Sequence, residues 1–228
     1  MLNINYILPF LCFWHTISTE ISKYKPVAVS ANICNLLNSV FFITHHHYTY
    51  NLDYITHMSI GFYIYDLLHI VSCVYRAKAN EEFKRQLPYI IHHIAGVYLL
   101  HEALTGDITE HVLNGYNMLE TSNIMLYISY HLHKEYANYM CLNMSSEFIQ
   151  LIWYSYYRIV CFSLYIYKIK SDFLQFYLTT QFTVFVVYCM GGAWSYKLCK
   201  KNIKNFNALK EQYVNGNGPS ITPDSKLN

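Results

Sequence analysis

Two adjacent histidines, His92 and His93, carry the clearest chemistry in the chain. A neutral imidazole can take a proton from a hydroxyl or amine nucleophile, or be acylated itself. A carboxylate beside it would orient the ring and stabilise its cation, and Asp66 and Glu120 are the candidates. His69 follows Asp66 by three residues, which puts both on one face of a helix. Thr121, Ser122 and Asn123 stand beside Glu120. Side chains of neighbouring helical residues point about 100° apart, so one histidine of the pair can face a cavity while the other faces a helix. The candidate catalytic groups are therefore His92, His93, Asp66 and Glu120, and the candidate substrate contacts are His69 and Asn123. The plainer alternative is that the histidines hydrogen-bond between helices and that Asp66 and His69 satisfy each other.

What must position these groups is set by composition. The 228 residues are 54% hydrophobic and 18% aromatic, and 13% are charged. A soluble domain averages about 25% charged residues, so the ionic surface is roughly halved. Mean hydropathy is +0.13, held down by 24 tyrosines and 12 histidines, both at home near a bilayer interface. A bilayer core of about 30 Å needs about 20 mostly apolar residues. Stretches of that kind are Ile4–Ser18, Val27–Tyr48, Tyr54–Tyr75, Leu87–Leu104, Ile108–Tyr130, Phe148–Tyr167 and Phe173–Tyr196, the third, sixth and seventh being clearest. The spacing predicts an all-α integral membrane bundle of six to seven helices, six if the first segment lies in the interface. Pro88 is expected in the first turn of the fourth.

Lys and Arg positions orient the bundle. Lys23 and Lys25, then Arg76, Lys78, Lys84 and Arg85, then Lys134, then Lys197, Lys200, Lys201, Lys204 and Lys210 all fall on one side of a seven-span layout. The other side holds mainly Asp53 and Asp107, with Lys168 and Lys170. The positive-inside rule then predicts a cytosolic C-terminus. Three regions follow: residues 1–22, an apolar first segment; 23–201, the membrane domain; and 202–228, a polar tail with Gly216, Gly218, Pro219 and Pro223 that reads as disordered.

Other classes find little support. A net charge of +2 gives no basic excess for nucleic acid, and the seven cysteines form no CxxC pair. His45–His47 and His101–Glu102 lie near span ends, where an interfacial polar belt is the simplest reading. The Trp153, Tyr154, Tyr156, Tyr157 cluster reads as packing. No metal is expected: in an HxxHH box Tyr89 would stand where the leading histidine belongs.

The order of these segments resembles the TLC domain family, the membrane domain that ceramide synthases share with several smaller proteins. The carrying segments are Gly61-Phe-Tyr-Ile-Tyr-Asp66, Leu87-Pro-Tyr-Ile-Ile-His-His-Ile-Ala-Gly96 and Met118-Leu-Glu-Thr-Ser-Asn-Ile-Met-Leu126. The resemblance covers roughly Lys23 to Lys201. It implies a helical barrel around a lipid-accessible cavity, commonly in the endoplasmic reticulum, and membrane lipids as partners. It also implies acyl transfer from acyl-CoA to a lipid amine or hydroxyl, with acyl-CoA as co-substrate and no bound cofactor. His92 and His93 match the family's paired histidines. Glu120 and Asn123 stand near the spacing of the ceramide synthase aspartates, whose longer signature is absent. The chain is thus more similar to the small TLC proteins outside the ceramide synthases. Non-catalytic lipid binding, transport or sensing in the same cavity is the other reading. The sequence sets no oligomeric state.

Overall fold

Apolar periodicity with few helix breakers makes long helices, and long helices are what the chain forms. The computed structural model describes residues 4–48, 52–77, 80–106 and 108–214. Helices α1 (Ile4–Ser22), α2 (Val27–Tyr48), α3 (Leu52–Ala77), α4 (Asn80–Thr105) and α5 (Thr109–Glu135) follow one another through short turns. A sixth rod is composite: α6 (Met140–Ser155), a π-helical segment (Tyr156–Cys161) and α7 (Phe162–Lys168). The short α8 (Lys170–Phe173) leads to α9 (Leu178–Val214). Among the described residues there is no strand. The α2 bounds coincide with the second apolar stretch, and the other rods overlap the remaining six.

Two boundaries differ from expectation. Helix α4 begins at Asn80, so Pro88 lies in its interior instead of its first turn. Glu81, Glu82, Lys84, Arg85 and Gln86 are strong helix formers, and they extend the helix about two turns before the apolar stretch. Helix α9 runs past Lys201 to Val214, so residues 202–214 continue it where disorder was expected. Residues 215–228 lie outside the described residues, as do Lys78 and Asp107.

The bundle exposes large apolar side chains and buries ionisable groups beside its apolar core. Leu68, Ile94, Ile152, Phe182 and Phe185 are exposed, whereas Asp66, His93, Glu120, Asn123 and Arg158 are buried. A water-soluble fold arranges these residue types the other way round. A bilayer requires this arrangement, because polar groups facing hydrocarbon cost several kcal/mol each. By length and composition, α2 and Leu52–Arg76 of α3 are apolar enough to cross a membrane.

Helix α3 packs between α1 and α4, α5 between α2 and α6, and α9 closes against α6 and α4. Gly61 permits the α1–α3 approach: a Cβ there would lie 2.7 Å from the Phe10 Cβ. Trp14, Phe42, Ile55, Leu100 and Leu113 fill the core between the first five helices. Ion pairs gather the basic ends. Lys25 meets Glu135 at 2.6 Å, and His133 and Lys201 each meet Glu147 at 2.7 Å. At the other end His111 approaches Asp172 at 3.4 Å.

Candidate functional site

Asp66 of α3 and His93 of α4 are brought together where the two helices pack against each other. The His93 Nε2 lies 2.5 Å from the Asp66 Oδ2, and both residues are buried, at 5% and 6% exposure. With the carboxylate accepting the Nε2 proton, the lone pair of the ring falls on Nδ1. That Nδ1 has no hydrogen-bond partner. A base with one nitrogen held by a carboxylate and the other, though buried, without a partner is the arrangement proton abstraction uses.

The other members of the pairings expected from sequence separate. His92 turns towards α9, with its ring 5.6 Å from those of Trp194 and His93, and its Nδ1 is also buried without a partner. Glu120 of α5 lies apart from the dyad. Its Oε1 accepts from the Tyr63 hydroxyl at 2.5 Å, and its Oε2 accepts from the Ser39 hydroxyl. The Tyr63 ring joins the two centres, with its centroid 5.1 Å from that of His93. Gly96 leaves room for that ring, since a Cβ there would crowd it at 3.2 Å. His69 leaves Asp66 and lies 3.7 Å from the Cys73 sulfur, stacked on Tyr65.

Asn123 faces a residue that the sequence reading passed over. Arg158, in the π-helical segment, is 2% exposed. Its Nη2 donates to Asn123 Oδ1 at 3.0 Å and its Nε donates to Ser122 Oγ at 2.7 Å. The signal was present: Arg158 is the one Asp, Glu, Lys or Arg between Phe148 and Tyr167. A lone charge inside a clean apolar stretch is a site by default. Among nineteen uncharged neighbours a single charge does not alter the assignment of the stretch as a span.

An apolar cleft of about 690 Å³ opens between α7 and α9, lined by Phe162, Ile166, Phe173, Val184, Phe185 and others. A second, narrower cavity shares Phe162, Ile166 and Val184 and reaches Leu119 and Val187. Neither lining includes Asp66 or His93. Among the described residues no three His, Cys, Asp or Glu side chains converge as a metal set.

A bundle of long helices with apolar side chains outside and ionisable groups buried inside is the arrangement of a membrane-embedded protein. The family model described as the TLC domain matches residues 9–200, and the chain belongs to that family. Membership makes it a membrane protein of lipid-related function. No curated protein and no solved structure matches the chain significantly.

Proposed function

We propose that the chain transfers an acyl group from acyl-CoA to a lipid amine or hydroxyl. The observation that carries this reading is the His93–Asp66 dyad with its buried, unpartnered Nδ1. The nucleophile gives its proton to His93 Nδ1 while its nitrogen or oxygen attacks the thioester carbonyl. The tetrahedral adduct then expels the CoA thiolate, which takes the proton back from the imidazolium. Asp66 holds the tautomer throughout and stabilises the cation. His92 serves as a second imidazole beside the reacting groups. Glu120, occupied by Tyr63 and Ser39, fixes α3 against α5 and α2. His69 and Asn123 remain candidate contacts to the lipid. The residence we propose is the endoplasmic reticulum membrane, with seven spans and a cytosolic C-terminus. The gathered basic ends support that orientation.

A second reading, lipid binding or transport without turnover, is favoured by the apolar cleft between α7 and α9, which does not include the histidines. The discriminating experiment gives purified protein labelled acyl-CoA and a lipid extract. A labelled lipid product from the parent, and none from a His92→Ala, His93→Ala double variant, supports transfer. Equal product from both removes the chemistry from this site. Native mass spectrometry finding an unmodified lipid, without turnover, supports the second reading.

A further inference from the structure

Among the described residues Arg158 is a buried cation without a counter-ion. Among these it forms no ion pair: Nε and Nη2 bond the neutral Ser122 and Asn123, and Nη1 has no partner although it is buried. Asp66 and Glu120 are both occupied elsewhere. An uncompensated guanidinium at this depth is costly unless an anion joins it. The π-helical segment, a frequent mark of functional sites, is where the chain presents it.

Three more buried polar atoms on the elements packed here lack partners. The Tyr154 ring, one turn earlier, lies 5.3 Å from the guanidinium carbon, and its hydroxyl has no partner. Gly191 of α9 fits against the Arg158 stem, where a Cβ would stand 3.5 Å from Cδ. The register that sets Asn202 at Glu147 and Gly191 at Arg158 sets Ser195 level with Tyr154. The Ser195 hydroxyl is likewise without a partner. His92, against Trp194 next to Ser195, adds its open Nδ1.

We propose that Arg158 Nη1, with the Tyr154 and Ser195 hydroxyls, binds the carboxylate of a single-chain fatty acid whose tail lies in the apolar cleft between α7 and α9. Two hydroxyls and one guanidinium nitrogen match two carboxylate oxygens, whereas a phosphate with three strongly accepting oxygens calls for more donors. The tail follows from the register. Phe162, one turn beyond Arg158, and Val187, one turn before Gly191, line the narrower cavity. Ile166 and Val184 continue it into the wide cleft, since both line the two spaces. The inference goes beyond the acyl-transfer reading and holds whether or not the dyad turns over.

The test measures binding of radiolabelled palmitate to the full chain in nanodiscs. Saturable binding is expected, displaced by unlabelled palmitate and not by hexadecanol. Arg158→Gln weakens it about tenfold or more, as expected for loss of a charge-assisted pair. Tyr154→Phe and Ser195→Ala, each removing a hydroxyl without a partner, keep the fold and weaken binding severalfold. Equal displacement by hexadecanol overturns the proposal, as does parent-like binding by all three variants. Displacement by lysophosphatidate at far lower concentration than palmitate reassigns the head to phosphate and overturns the carboxylate. Because the readout is binding by the parent, a failure of acyl transfer leaves it unmoved.

Discussion

The Tyr63 hydroxyl donates to Glu120 Oε1 at 2.5 Å, and three residues further along the same face of α3 Asp66 accepts from His93. One helix face therefore anchors a carboxylate of α5 and presents a carboxylate to α4. Removing the phenol hydroxyl with Tyr63→Phe takes one donor from Glu120, 2% exposed, which still accepts from Ser39. The expected loss is about 1–3 kcal/mol, the cost of an under-satisfied buried polar group. A lowered melting temperature in detergent, with Ser39→Ala in the Tyr63→Phe background falling further, checks it. An unchanged melting temperature would show that the bond contributes nothing.

Helix contact through glycine gives a paired expectation. Gly61→Ala places a Cβ 2.7 Å from the Phe10 Cβ, next to backbone that cannot swing away. Overpacking of this kind costs about 1–3 kcal/mol. Gly192, also in a helix, would meet nothing within 4 Å, so Gly192→Ala is expected to be neutral or to stabilise by about 0.5–1 kcal/mol. Thermal denaturation of both variants side by side separates packing from propensity. Equal effects would contradict the close α1–α3 approach.

Much of this architecture is legible in the chain, and the parts that are not have physical causes. The α2 bounds can be read directly because an apolar run between polar turns has one solution in a bilayer. The start of α4 cannot, since Pro88 suits a first turn, yet the charged helix formers before it extend the helix. That Asp66 and His93 form the dyad could be suspected from residue type. Which histidine of the pair faces the carboxylate depends on the rotation of α4, and 100° per residue separates the answers. Asp66 with His69 looked self-sufficient by spacing, but the side chain of His69 lies along its own helix towards Cys73. Arg158 was legible as a type and missed as a site. Its role appears once Ser122, Asn123 and Gly191 are seen around it.

Outside the spans, Glu147 sets the pH dependence of the basic end. Burial pushes its carboxyl up, but the Lys201 ammonium, the Asn205 amide and the His133 imidazole outweigh that and hold it below the usual range. A carboxyl whose folded pKa lies below its unfolded value adds stability above the unfolded pKa, near 4.5. That stability is lost as pH falls through the folded value. Melting temperatures taken from pH 7 down to pH ~3 should therefore fall for the parent. Glu147→Gln, which cannot ionise, should start lower and show a flatter acid limb. A parent curve that is flat across this window, or a variant that parallels it, would remove Glu147 from the ledger.

Asp66→Asn tests the dyad with almost no change in shape. The aspartate accepts the Nε2 proton and so leaves the lone pair on Nδ1. An amide can satisfy His93 in two ways, accepting from Nε2 or donating to it, and the second puts the proton on Nδ1 and abolishes the base. It also removes the charge that stabilises the imidazolium. Acyl transfer should fall by about 10²–10⁴ in kcat with little change in KM, the pattern of an interaction made in the transition state. The melting temperature should move far less than it does for Tyr63→Phe, because the hydrogen bond to His93 survives in altered form. Asp66→Glu keeps the charge but moves it by one methylene, and should recover part of kcat only if the carboxylate acts on the imidazole. Full turnover by Asp66→Asn would place the base outside this dyad. A variant that loses lipid binding together with kcat would make Asp66 a structural residue of the α3–α4 contact.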